Sequence, residues 1–113
     1  MSKLDSNNNL EKQQAICLKY RLAETEPDEM IAVALQTIGK TPIYGTRIEM
    51  PEGGNISWFI HCGEHSDAID FYQPIHTEHL NELLPLVINY LRLPACVKFI
   101  IDDQGYEDVW LQE

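Results

Sequence analysis

The chain reads as an α+β domain, a mainly antiparallel sheet of about five strands packed with two helices in the order α-β-β-β-α-β-β. Three observations predict this. Two stretches, 9–22 and 77–93, carry apolar residues at helical spacing. Five others, 31–35, 43–50, 56–62, 97–101 and 106–111, alternate as half-buried strands do. Hairpin-type connections predominate, which favours antiparallel pairing and segregated helices. The 113 residues are read as a single domain with one core and no internal boundary or repeat.

Residues 1–7 are polar and are expected to fray. Asn8, with Glu11 three residues on, looks like a helix start, because an Asn side chain can accept from the third backbone N–H. Ile16, Tyr20 and Ala23 then fall on one line, with Leu10 and Cys17 beside it, until Pro27 and its acidic neighbours break the pattern. Ile31, Val33 and Leu35 point to one face of the first strand. The strands 43–50 and 56–62 flank Pro51-Glu52-Gly53-Gly54-Asn55, a five-residue hairpin loop. In the second arm Ile56, Trp58, Ile60 and Cys62 share one face, and Ser57, Phe59 and His61 the other.

Gly63 to His76 follows as a fourteen-residue loop carrying Glu64, Asp67 and Asp70, with Phe71 and Tyr72 expected in the same solvent; the alternative is a structural loop packed by Phe71 over the sheet edge. Loops of that length in a compact domain are often functional. Thr77 is placed as the cap of the second helix, whose stripe is Leu80, Leu83, Leu84, Val87 and Leu91. Pro85 sits inside that stripe and should kink it, and Pro94 ends it. Val97, Phe99 and Ile101 alternate in the next strand. In the last, Val109 and Leu111 are expected to face the helices, turning Tyr106, Asp108 and Trp110 to the opposite side; the alternative is that Trp110 is core and pins the C-terminus.

Composition narrows function by exclusion. Eight Lys and Arg against eighteen Asp and Glu give a net charge of −10, so a basic nucleic-acid-binding domain is not expected. The acidity belongs to the body, since residues 1–23 are net positive. No apolar run approaches the roughly 20 residues of a membrane span, and the N-terminus has no apolar signal segment. Three dispersed cysteines, Cys17, Cys62 and Cys96, suggest reduced thiols and a cytoplasmic location.

The candidate chemical motifs are weak. His61 with His65 and His76 with His79 are loose pairs that specify no metal geometry. Cys62 adjoins His61, but neighbours on a strand point to opposite faces, so the pair is not a nucleophile and its base. Asp102, Asp103, Glu107 and Asp108 cluster around a solvated turn, which does not separate carboxylate pKa values. Gly53-Gly54 lacks the Lys-Ser/Thr of a phosphate loop, and Ser57 lacks the glycine frame of a nucleophile elbow. No catalytic residue, metal ligand or cofactor is therefore assigned.

A longer series is more specific. Pro42-Ile43-Tyr44-Gly45-Thr46-Arg47, Pro51-Glu52-Gly53-Gly54, Ser57-Trp58-Phe59-Ile60 and Cys62-Gly63-Glu64 follow in order. Then come Asp70-Phe71-Tyr72-Gln73-Pro74-Ile75-His76, His79-Leu80, Tyr90-Leu91, Leu93-Pro94 and Tyr106-Glu107-Asp108-Val109-Trp110. Over about residues 12–111 this series resembles the immunity protein thirty-three-like domains, small bacterial domains associated with polymorphic-toxin loci. His61 stands where that family tends to have Trp, and Cys96-Val97 where it tends to have Gly-Trp. The resemblance implies a non-catalytic protein that binds and neutralises a cognate toxin, and a net charge of −10 suits a cationic one. The alternatives are a small metal-dependent hydrolase and an adaptor with no toxin partner. The partner-binding residues expected are Glu64, Asp67, Asp70 and Tyr72 in the long loop, with Tyr106, Glu107, Asp108 and Trp110 at the last strand.

Overall fold

The computed structural model describes the backbone of residues 2–112 and the side chains of residues 9–112. Helix α1 spans Ser2–Lys19, so Asn8 lies within it rather than capping it. The expected frayed segment, 1–7, falls on residues whose side chains lie outside the described ones. The helix turns Gln13, Cys17, Ile16 and Tyr20 inward. It ends before Leu22 because Arg21 adopts φ 57°. The Arg21 and Leu22 N–H groups then donate to the Leu18 and Cys17 carbonyls at 3.1 and 2.9 Å, closing the last turn in a Schellman motif.

Strands β1 (Met30–Val33), β2 (Ile43–Arg47), β3 (Trp58–Cys62), β4 (Gln73–His76), β5 (Val97–Ile101) and β6 (Glu107–Leu111) form one sheet in the order β4-β1-β3-β2-β5-β6. The class is α+β, with two departures from expectation. The sheet has six strands, because the end of the supposed fourteen-residue loop pairs antiparallel with β1, Met30 opposite His76 and Val33 opposite Gln73. Its sequence, Gln-Pro-Ile-His, hides it: Pro74 donates no ladder bond and is tolerated because β4 is an edge. The second departure is a parallel pair, since β3 inserts between β1 and β2 and runs alongside β1. All other pairings are antiparallel, including the β2–β3 hairpin with Ile43 opposite Cys62.

β1 stops at Val33 rather than Leu35. A 3-10 turn, Leu35–Thr37, follows, and the Thr37 hydroxyl donates to the Ala34 carbonyl at 2.6 Å while accepting from the Cys62 N–H at 3.0 Å. Leu35 is thereby turned to solvent. The second helix is not continuous. It consists of a 3-10 turn (Thr77–His79), one α-turn, α2 (Leu80–Leu83), and a further 3-10 segment (Pro85–Tyr90). Pro85 excludes Leu84 from the helical region, and Leu84 sits at φ −147°, ψ 69°. Leu80, Leu84, Val87 and Leu91 remain buried as one stripe, joined by Ile88 and Tyr90, whereas Leu83 is exposed. Thr77 caps nothing; its hydroxyl donates to the Asp28 carbonyl at 2.6 Å.

The core lies between this helical layer and one face of the sheet. That face presents Ile31, Val33, Ile43, Trp58, Ile60, Cys62, Val97, Phe99, Ile101 and Val109. Gly45 belongs to it as well. A Cβ there would lie 2.2 Å from the Phe99 ring of the opposing strand, and that ring is held between Tyr90 and Trp58.

One buried charge ties the layers together. The Arg47 side chain leaves the end of β2 for the interior and donates to five groups. They are the Ser57 hydroxyl at 3.0 Å, the Thr25 hydroxyl at 2.9 Å, and the carbonyls of Leu91, Leu93 and Glu26 at 3.2, 2.7 and 2.7 Å; the Asp28 carboxylate forms an ion pair with it at 3.6 Å. Asp28 in turn accepts from the Ser57 N–H at 2.9 Å and its hydroxyl at 2.5 Å. Burial lowers the guanidinium's pKa and Asp28 opposes that shift; arginine remains a cation throughout. Replacing one member of such a pair leaves the other charge and several carbonyls dry and unpaired. Arg47→Leu should therefore lose about 3–5 kcal/mol in urea unfolding. Gly45→Ala should cost about 1–3 kcal/mol by overpacking against Phe99.

Candidate functional site: the open face of the sheet

The sheet's second face carries no helix. In-register pairing defines two rows across its middle. Phe59, Thr46, Lys98 and Trp110 form one, and His61, Tyr44, Ile100 and Asp108 the other. Four strands at about 4.8 Å spacing make each row roughly 14 Å long. Tyr44, Thr46, Phe59, His61, Lys98 and Ile100 are half-buried, and Trp110 is 37% exposed. The alternation that puts Val109 in the core forces Trp110 out of it.

The loop from Gly63 to Tyr72 closes one side of this face. Phe71, expected in solvent, is only 3% exposed. It is seated against His61, His65 and Tyr72 at ring separations of 5.9, 5.2 and 4.9 Å. Tyr72 sets its edge on Phe59 at 5.3 Å, and its hydroxyl lies 3.3 Å from His61 Nδ1. His61 stacks flat on Tyr44, 4.7 Å apart and 8° from parallel. This aromatic base holds Glu64, Asp67 and Asp70 in solvent, where all three are exposed.

The eight residues singled out in the sequence are thus divided. Tyr72 belongs to the aromatic base, Glu64, Asp67 and Asp70 are exposed in the loop that leads to it, and Asp108 and Trp110 lie on β6 at the border of the same face. Glu107 points the other way, as alternation requires. Its carboxylate accepts from Lys19 at 2.7 Å and from the Tyr20 and Tyr90 hydroxyls at 2.5 Å each, fastening β6 to α1 and the 3-10 segment. Burial pushes this carboxyl up, but the bonds donated by Lys19, Tyr20 and Tyr90 outweigh it and hold its pKa below the ordinary value. Burial, reinforced by Glu107, drives the Tyr90 phenol strongly upward. Tyr106 precedes the strand and lines a shallow hollow with Leu86 and Glu107 at the sheet's end. Tyr44, Thr46, Lys98 and Ile100 were not singled out, although the same alternation rule applied to 43–47 and 97–101 sets them opposite the core.

The remaining candidates are accounted for locally. Among the described residues no three His, Cys, Asp or Glu side chains converge as a metal site. Cys62 is fully buried beside Thr37, and burial raises its thiol pKa. Ser57 is occupied by Asp28 and Arg47. Asp102 accepts from the Gln104 and Tyr106 N–H groups at 2.8 and 2.9 Å and shapes the β5–β6 turn. Among the described residues no helix is long and apolar enough to cross a membrane.

The domain is thus α+β, with one packed sheet face and one that carries no helix. The family model of the Imm33-like domain matches residues 12–112, and the chain belongs to that family of immunity-protein-like domains. No curated protein and no solved structure matches it.

Burial, and next the neighbouring His65, lowers the pKa of His61 from 6.5. The folded chain therefore takes up this proton later than the unfolded chain. The stability tied to neutral His61 is complete above pH 6.5 and is lost as pH falls from there to its lower folded value. Melting temperature should drop over that window in the wild type and drop less in His61→Phe, as followed by circular dichroism.

Proposed function

We propose that this protein is a cytoplasmic immunity protein that binds a cognate protein toxin through the open sheet face and neutralises it without catalysis. The observation that carries this reading is the bracketing of one helix-free, aromatic face by Glu64, Asp67 and Asp70 on one side and Asp108 and Trp110 on the other. Membership of an immunity-protein-like family supports the choice of a toxin as partner. Aromatic anchors inside a charged rim are the composition of binding hot spots. A net charge of −10 favours a cationic toxin, because complementary potentials speed encounter. Glu107 and Tyr106 contribute indirectly, by fixing the register of β6.

Co-expression with the product of the adjacent reading frame, followed by affinity purification and a growth-rescue assay, tests the proposal. A one-to-one complex and rescued growth are expected. Asp67→Lys with Asp70→Lys should slow association about tenfold or more at low salt, with the difference shrinking at high salt. Trp110→Ala should leave the melting temperature within a few degrees, since the ring is not core, and weaken the complex at least about tenfold. An unchanged affinity in both variants would return the open face to a purely structural role.

A further inference from the structure

The open face contains a cleft with a definite chemistry. It has a volume of about 240 Å3 and lies over β5, between Tyr44 on β2 and Trp110 on β6. Sites for free small molecules commonly measure roughly 300–1,000 Å3, so this one is sized for a single side chain. β2 and β6 are two strand spacings apart, roughly 10 Å, which leaves room for one ring between two others. Tyr44 presents one ring face to His61, 4.7 Å away on β3, and its other face is turned towards β5. Ile100, opposite Tyr44, and Lys98, opposite Trp110, form the floor.

The charges decide the occupant. Lys98 is the charged residue lining the cleft, whereas Asp108, opposite Ile100 on β6, borders it from outside and Glu64, Asp67 and Asp70 lie in the loop after β3. A guanidinium or ammonium from a partner would meet Lys98 at close quarters. A neutral ring would bury against Ile100 and Trp110 and offer its π-face to that same ammonium. We infer that this cleft receives one aromatic side chain of the protein partner. The steering charges and the anchoring pocket are then separate devices, with cationic groups of the toxin meeting the rim and a neutral ring filling the cleft. The inference rests on the binding role proposed for this face, but the chemistry of the cleft is testable without a toxin.

The test uses the full chain, 15N-labelled, titrated with N-acetyl-L-tryptophanamide and, separately, with N-acetyl-L-argininamide. The tryptophan probe should give saturable amide shifts centred on Tyr44, Lys98, Ile100 and Trp110, with a dissociation constant on the order of 1–10 mM. The arginine probe should bind there at least about fivefold more weakly. Ile100→Asp is the discriminating variant, because a carboxylate on the floor repels a ring and attracts a guanidinium. It should abolish the tryptophan-probe shifts and strengthen the arginine probe, with wild-type spectral dispersion confirming the fold. Absence of saturable shifts, or arginine binding as tightly as tryptophan in the wild type, overturns the inference. Concentration-dependent shifts of the same four amides without any probe also overturn it, since the occupant would then be a second copy of this chain. In the toxin complex, affinity reduced by Ile100→Asp supports the inference. A complex indifferent to Ile100→Asp sinks it while leaving the immunity role standing, and tryptophan-probe binding without any complex does the reverse.

Discussion

Arg47 is the constraint on which the rest of the architecture depends. Its guanidinium reaches the carbonyls of Leu91 and Leu93, which the broken helical layer leaves unbonded at its end, and the carbonyl of Glu26 in the segment entering β1. A 3-10 segment is poor at satisfying its own carbonyls, and buried carbonyls cannot be left dry. The Trp58 indole N–H, donating to Leu91 at 3.1 Å, and the Thr25 hydroxyl, which reaches the Arg92 and Leu93 carbonyls, complete the set. A salt bridge alone would be a doubtful source of stability at this depth, because desolvation offsets the attraction. Here the cation serves mainly as a divergent donor, joining β2, the β1 approach and the helical layer at one point. The Asp28 carboxylate balances its charge and carries the network on to Ser57 at the start of β3.

A second polar anchor acts from the edge strand β6. Glu107 joins β6 to α1 through Tyr20 and Lys19, and to the 3-10 segment through Tyr90. Tyr90 also stacks on Phe99, 4.8 Å away, so the polar contact and the aromatic core share a residue. Arg47 and Glu107 thus grip neighbouring residues at the end of the 3-10 segment, Arg47 at the Leu91 and Leu93 carbonyls and Glu107 at the Tyr90 hydroxyl, from two different strands of the same sheet.

The legible part of the fold was the part written in local periodicity. The burial of Trp58, Ile60 and Cys62, of Val97, Phe99 and Ile101, and of Leu80, Leu84, Val87 and Leu91 follows from spacing alone. Less legible was whatever depended on a partner distant in sequence. β4 is four residues long and contains Pro74, so nothing local marks it as a strand; only β1 makes it one. The continuity of the second helix failed at Leu84 because the steric effect of Pro85 outweighed an apolar stripe that would suit an unbroken helix equally well. Of the site, the outward placement of Trp110 and Asp108 follows from alternation, whereas the same alternation removes Glu107 from the binding surface in which it was expected, by turning it inward. Its engagement with Tyr20 and Tyr90 required tertiary structure. That Phe71 packs its loop against the sheet was one of two readings the sequence left open, but an aromatic in a polar loop gives no sign of the histidines it will meet. Cys96, in the left-handed region at φ 73°, occupies a position where the family pattern tends to have glycine, and there the pattern carried backbone information that composition did not.

An open aromatic face is a hazard as well as an opportunity, and the edges of this sheet determine which it becomes. Exposed flat edges invite pairing with other chains. β4 blunts its side of the sheet with Pro74 and brevity, and β6 presents Glu107 and Asp108 within five residues. Lateral growth by strand addition is thereby discouraged at both ends. In the binding role proposed for this face, approach is left to a partner that meets it broadside, across the rows from Phe59 to Trp110 and from His61 to Asp108. Such an approach reads side chains rather than backbone, so specificity can be altered by substituting Tyr44, Lys98, Ile100 or Trp110 without disturbing the ladder beneath them. The packed face, held by Arg47, and the open face, free of helices, draw on alternate residues of the same strands, so a substitution on the open face need not repack the core.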